Sequence, residues 1–216
     1  MEFVVPDHIA YCFSAGRPIF LDVARNRYFT VSARLAEAFD AFVRGERAPE
    51  LQDALDALAG QGLLVRSSAR PTPRTPIEAA RRDLTIQKEA PFRLGDGLAV
   101  TRHVWRTYRR LRHDALTLII ADLKRRRSGA TTADPNRTAD LHARFLRHRP
   151  YVPIKANCLL DSIALLDFLG RHGDDANLVF GVTPSPFSAH CWLQRGDQVL
   201  NDVLDRVSPR LPIMVV

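Results

Sequence analysis

Up to Val65, apolar positions recur first at a spacing of two and then at a spacing of three to four. Ile9–Phe13, Ile19–Val23 and Tyr28–Val31 read as short strands, with turns at Gly16–Pro18 and Arg25–Asn26. Ser32 then stands where a helix cap belongs. The stripe of that helix is Leu35, Ala38, Phe39 and Phe42, and Gly45 ends it. Pro49 suits the first turn of a second helix, striped by Leu51, Ala54, Leu55 and Leu58 before Gly60 and Gly62, and Leu63–Val65 returns as a short strand. Three strands followed by helices predict a small winged-helix-like α+β unit. Ser67–Pro76 follows, with proline at every second or third position from Pro71 and no apolar anchor beyond Ala69, the pattern of a linker.

From Ile77 to Leu146 the pattern is mainly helical, with a loop expected at Ser128–Pro135 and no clear period from Ile86 to Gly97. Arg102–Arg127 reads as a basic amphipathic helix with Val104, Tyr108, Leu111, Ala115 and Leu118 as its stripe, its arginines forming a solvated face. Arg144–Arg149 leads through Pro150 and Pro153 to Asn157. The apolar run Cys158–Leu169 is long enough for about three helical turns, with Asn157 as its N-cap and Gly170 and Gly173 as its stop. Leu178–Thr183 and Ser188–Gln194 then read as strands, and Arg195–Asp197 turns the chain into a third, Gln198–Val203. The whole is of α+β class.

This last stretch carries the candidate chemistry. A cysteine in the first turn of a helix feels the positive end of the macrodipole and free backbone N–H groups, both of which favour thiolate. Taken alone Cys158 would be a small buried hydrophobe; a histidine and an aspartate downstream reverse that reading. Alternation puts His190, Trp192 and Gln194 on one strand face and Cys191 and Leu193 on the other, so Cys191 is read as core, as is Cys12. The hairpin register decides whether Asp202 serves His190. A two-residue loop would pair Asp202 with Cys191, on the wrong face; a three-residue loop would leave it diagonal to His190. An odd-length loop around Gly196 is therefore expected. His142, His148 and His172 have no recognisable partner and are taken as surface residues.

Bulk properties exclude more than they choose. The net charge of +7 invites nucleic acid as a partner, but Glu50, Asp53 and Asp56 on the second helix would repel phosphate, and Trp105 and Tyr108 alone make no base-stacking platform. The N-terminus has no basic, apolar signal pattern, and no apolar run approaches membrane-spanning length, so a cytoplasmic protein with no integral membrane segment is expected. Cys12, Cys158 and Cys191 have no metal-ligand spacing and are odd in number, and no P-loop is present; no metal and no cofactor are expected.

The order Cys, His, Asp, with the cysteine on a helix start, is the layout of papain-like and transglutaminase-like thiol enzymes. Asn157–Leu166, Leu178–Val182, Pro186–Trp192 and Val199–Asp202 together resemble the lasso-peptide B proteins, the leader peptidases of lasso-peptide biosynthesis. That resemblance, over the C-terminal half, implies Cys158 as nucleophile, His190 as general base and Asp202 as its orienter, and Asp161 fits the family's pattern before the serine that follows. Ile19–Val31 resembles the precursor-recognition domain that binds the leader in the same family. It implies a leader added as an extra strand along the Tyr28–Val31 edge and packed on the following helices, with Arg27, Tyr28, Phe29, Thr30, Val31 and Leu55 as binding residues. The organisation implied is a recognition domain over residues 1–66, a linker over 67–76 and a transglutaminase-like cysteine peptidase domain over 77–216. Its partners would be the precursor peptide and an ATP-using, asparagine-synthetase-like lasso cyclase. Two other readings stand beside it: a transglutaminase-type acyltransferase, although no acidic calcium loop is present, and a non-catalytic peptide-binding module.

Overall fold

A computed structural model describes residues 2–46, 48–68, 75–84, 91–126 and 135–216, with the side chains of 135 and 136 not described. The proline-rich run over 69–74 and the loop expected at 128–134 lie outside the described residues. The chain is α+β and divides into two compact units, Met1–Thr75 with Leu211–Met214 and Pro76–Arg210 with Val215–Val216.

In the first unit, β1 (Glu2–Val4) pairs antiparallel with β5 (Val65–Ser67). β2 (Ile9–Ser14), β3 (Arg17–Asp22) and β4 (Arg27–Phe29) form an antiparallel meander with β3 in the centre. The first turn lies at Ala15–Gly16, both at positive φ (46° and 76°), so Arg17 and Pro18 belong to β3 and not to the turn that the sequence implied. Pro18 is tolerated there because β4 reaches only Phe20–Asp22, leaving no ladder bond for proline to forfeit on that side. Two helices follow, α1 (Ala33–Val43) and α2 (Gln52–Gly60). Ser32 occupies the cap position of α1 without a side-chain cap bond. Phe20, Phe39, Ile9, Leu55, Leu58, Leu63 and Leu64 form the core, with Phe20 4.8 Å edge-on to Phe39 and 5.6 Å stacked on Phe29. Leu63 and Leu64 are core residues before β5, so the return strand begins later than alternation suggested.

The second unit is built around a buried helix. α6 (Cys158–Arg171) is apolar on nearly all sides because it lies between α3 (Leu94–His113) and α5 (Pro135–His148) on one side and strand β8 (Phe187–Arg195) on the other. β8 pairs antiparallel with β7 (Asn177–Pro184) over eight residue pairs and with β9 (Gln198–Val199) over two, and β9 pairs parallel with β6 (Arg82–Asp83). Ile77 and Ala80 pack on Trp192, Val179, Val199 and Val207, the last from the short helix α7 (Leu204–Val207). Ile77–Leu84 is thus not helical, although the pattern implies a helix there, and its Arg82–Asp83 joins the sheet. The basic helix expected over Arg102–Arg127 is two helices, α3 and α4 (Leu116–Arg126), broken where Asp114 adopts an extended backbone. Their buried stripe is Val100, His103, Val104 and Thr107, then Ile119, Ile120 and Leu123; Leu118 is exposed. Arg110 on α3 bridges to Asp122 on α4 at 3.0 Å, and Asp122 also holds Arg125 and Arg126. Among the described residues no helix is long and apolar enough to cross a membrane.

Candidate active site

Cys158 is the first residue of α6. Asn157 caps the helix as its sequence suggested, with extended backbone and a side-chain oxygen that accepts from Leu159 N–H at 3.0 Å and Leu160 N–H at 3.4 Å. The Cys158 N–H stays outside that cap, pointing from the helix start. The approach to the cysteine is held by Arg149, a buried arginine that sequence reasoning passed over. Its Nε donates to Asp161 in the first turn of α6 at 2.6 Å, while its other nitrogens reach the carbonyls of Ile154 at 3.0 Å and Val152 at 3.4 Å. Asp161 thereby links the preceding loop to the helix that carries the thiol.

His190 lies on β8 opposite Gly181 of β7. The absence of a side chain at Gly181 is required, because a Cβ there would stand 2.6 Å from the Trp192 ring. That ring, held by its own N–H to Gln194 at 2.9 Å, runs near-parallel to His190 at 6.3 Å between centroids. Asp202 meets His190 through Oδ2 and Nε2, and its other oxygen accepts from Val203 N–H at 2.8 Å and Arg206 at 3.1 Å.

The route by which Asp202 arrives corrects the sequence argument. The β8–β9 loop has two residues, Gly196 and Asp197, since Arg195 pairs with Gln198 and Gln194 with Val199. Continued register would set Asp202 against Cys191, on the wrong face. The ladder stops first. Leu193 donates its N–H to the side-chain oxygen of Asn201 at 2.7 Å, and the Asn201 amide donates to Ser162 on α6 at 2.8 Å. A side chain has taken over the bond that a strand residue would have made, so β9 ends at Val199 and residues 200–203 bend the carboxylate round to His190.

Cys158 is half-buried, and His190 and Cys191 are the side chains that act on its thiol. The Cys191 thiol, His190 and the Cys191 backbone N–H together outweigh burial and hold Cys158 down to about 4. His190 is raised, first by Cys158 and then by Asp202, against the opposing effect of burial. With Nε2 engaged by Asp202, Nδ1 is the ring nitrogen left to face the thiol. Both shifts favour the thiolate–imidazolium form of the pair. Cys191 is buried as expected but is not passive core, because it faces α6 and serves Cys158; its own thiol is pushed up by that partnership and by burial.

His142 and His148 are buried, not on the surface. Burial pushes His142 down to about 4, leaving it neutral in the core, and His148 packs on Phe92 at 4.5 Å with its ring against Gly97. Of the residues singled out for leader binding, Arg27 and Thr30 are exposed, and Tyr28, Phe29 and Val31 are half-buried on or beside the outer strand β4. Phe29 and Val31 pack towards the core, and Leu55 is part of it. Among the described residues no group of His, Cys, Asp or Glu is placed to hold a metal ion.

The family model of the transglutaminase-like superfamily matches residues 103–214, a range that contains Cys158, His190 and Asp202. The chain is 46% identical over 48 residues to the microcin J25-processing protein McjB of Escherichia coli, a stretch that spans 22% of this chain and 23% of that protein. No solved structure matches. A cysteine at a helix start, coupled to a strand histidine that a carboxylate holds, stands within a match over half of the sequence, and the chain belongs to the transglutaminase-like superfamily.

Proposed function

We propose that this protein is a leader peptidase of lasso-peptide biosynthesis, which binds the leader of a ribosomally made precursor and cleaves it from the core through Cys158, His190 and Asp202. The observation that carries the reading is the junction at His190, whose Nε2 meets Asp202 and whose titration is raised first by the Cys158 thiol. The likeness to a protein named for processing microcin J25 supports the choice of substrate class.

In this mechanism Cys158 thiolate attacks the carbonyl that joins leader to core. The Cys158 N–H, left outside the Asn157 cap, faces the developing oxyanion. The His190 imidazolium protonates the departing amine, which is the new N-terminus of the core, and Asp202 keeps the ring oriented while the charge moves. Water, activated by the now neutral His190, then hydrolyses the thioester and releases the leader acid. No nucleotide takes part in these steps, so an ATP requirement would belong to the partner cyclase that closes the macrolactam or to formation of the complex with it. The first unit, over residues 1–66, would take the leader as a strand added beside β4, and the linker over 67–76 would raise the local concentration of the scissile bond at the peptidase unit over 77–216.

The superfamily also supports transglutaminase-type acyl transfer, in which an amine replaces water at the same thioester. One experiment separates them: the full chain and Cys158→Ala are incubated with the precursor encoded nearest the gene, with and without the neighbouring cyclase, and followed by intact mass. A leader-sized loss that needs Cys158 is expected. A cross-link or a deamidated glutamine would replace the proposal with acyl transfer. An unchanged precursor that still binds residues 1–66 would leave a peptide-binding module.

A further inference from the structure

The second cysteine beside the nucleophile has no step in hydrolysis, and its position follows from the packing of α6 on β8. Ser162 on the helix is tied through Asn201 to Leu193 on the strand, by bonds of 2.8 Å and 2.7 Å. Moving towards the N-terminus of each element from that tie, four helical residues rise about 6 Å and two strand residues about 6.8 Å. The steps match, and alternation keeps residue 191 on the same strand face as 193, towards α6. Cys191 is thereby set level with Cys158, and each thiol shifts the titration of the other. Both thiols are free, and Cys191 is 4% exposed, shielded from any reactant in solution. A nucleophilic cysteine with a second thiol level with it on the facing strand and out of solvent is the arrangement of a peroxide-sensitive cysteine and its resolving partner.

We propose that Cys191 is the resolving thiol for Cys158, converting an oxidised nucleophile into a reversible Cys158–Cys191 disulfide. In the first step the Cys158 thiolate attacks hydrogen peroxide: an S–O bond forms, the O–O bond breaks and hydroxide leaves. The sulfur is oxidised by two electrons to the sulfenic acid and the peroxide is reduced. In the second, the Cys191 sulfur attacks the Cys158 sulfur, an S–S bond forms, the S–O bond breaks, and the oxygen departs as water with the Cys191 proton. Loss of negative charge at Cys158 in the first step removes the partner that had kept Cys191 protonated, so the second thiol becomes easier to ionise when it is needed. A dithiol reductant restores both. The chemistry requires only a nucleophilic Cys158 and stands whether that thiol serves hydrolysis or acyl transfer.

The test uses the full chain without substrate. Hydrogen peroxide is added at about three equivalents, enough for the two successive oxidations of one thiol, the protein is quenched with iodoacetamide, and intact mass and a non-reducing peptide map are recorded. The expected product has lost about 2 Da, carries one linked pair of peptides holding residues 158 and 191, and returns to starting mass with dithiothreitol. In Cys191→Ser, Cys158 is expected to progress to the sulfinic acid, a gain of about 32 Da that dithiothreitol does not reverse. Wild-type protein that accumulates sulfinic acid at Cys158 at the rate of the variant, or that links Cys158 only to a second copy, overturns the proposal. The wild-type map alone decides it should the variant fail to fold.

Discussion

Two hairpins in this molecule close on two-residue turns with glycine at positive φ, and they end differently. β2–β3 turns at Ala15–Gly16 and pairs six successive residues, Ser14 with Arg17 through Ile9 with Asp22. β8–β9 turns at Gly196–Asp197 and pairs two, after which the chain leaves the sheet. In the first, every second pair brings apolar surface onto the Phe20–Phe39 core, so the ladder runs on. In the second, Asn201 offers its side-chain oxygen to the waiting Leu193 N–H and its side-chain amide N–H to Ser162, and the backbone is released from register. Apolar burial rewards a continuous ladder. A polar side chain that substitutes for one ladder bond lets the next residue, Asp202, be aimed where no register would put it.

The contrast can be broken first at its apolar end. Phe20→Ala empties a fully buried site among Phe29, Phe39 and Tyr11 and is expected to cost about 3–5 kcal/mol. Hydrogen exchange should show faster amides across residues 9–22 while those of α6 keep their protection; equal acceleration in both would mean that the core of the first unit is not what holds this hairpin.

Asn201→Ala breaks the polar end. It leaves the Leu193 N–H and the Ser162 hydroxyl without their partner, at about 1–3 kcal/mol each, and frees Asp202 from its approach. Reactivity reports this directly. Cys158 titrates at about 4, so its thiolate is present above that pH and is lost as pH falls through it. Alkylation by iodoacetamide, corrected to constant reagent, is expected to be flat from about pH 5 to 8. In Asn201→Ala the acid limb should move up towards the ordinary thiol range as His190 loosens. An unmoved limb would mean that the Asn201 bridge does not hold the pair.

Gly181→Ala tests the support behind His190. The added Cβ would meet the Trp192 ring at 2.6 Å, and the resulting overpacking is expected to cost about 1–3 kcal/mol. Near-ultraviolet circular dichroism should change, since Trp192 is one of two tryptophans; an unchanged spectrum would mean that the ring yields without moving. The smallest effect is at the first turn. Ala15 sits at φ 46°, a region that costs an L-residue about 1 kcal/mol, so Ala15→Gly should raise the unfolding midpoint of the first unit slightly and Gly16→Ala should lower it.

Parts of the site were legible because they are local. Asn157 caps α6 with bonds to residues two and three ahead, and β7 and β8 follow from alternation within eight or nine residues. The parity rule for Asp202 failed although the contact is present, because it assumed an uninterrupted ladder. Arg149 was overlooked because its meaning lies in three acceptors that only the folded loop gathers. Cys191 was read from its strand face alone, without knowing that α6 lay on that face. The break between α3 and α4 was hidden by a basic, apolar pattern that continues across Asp114 and Ala115, and β6 could not be seen because its partner lies 116 residues along the chain, as Arg82 with Gln198.

By itself the sequence determined the elements whose causes lie within a turn or a strand: a capped helix start beneath Cys158, the alternation that sets His190 and Cys191 on opposite faces, and glycine where a turn demands positive φ. Tertiary structure alone decided which groups meet. Asp202 reaches His190 because Asn201 finds Ser162 on a helix some forty residues earlier, and Cys191 reaches Cys158 because that helix packs on that strand. Backbone preferences act between neighbours, whereas the competition between a ladder bond and a side-chain bond is settled only when both candidates are brought to the same donor.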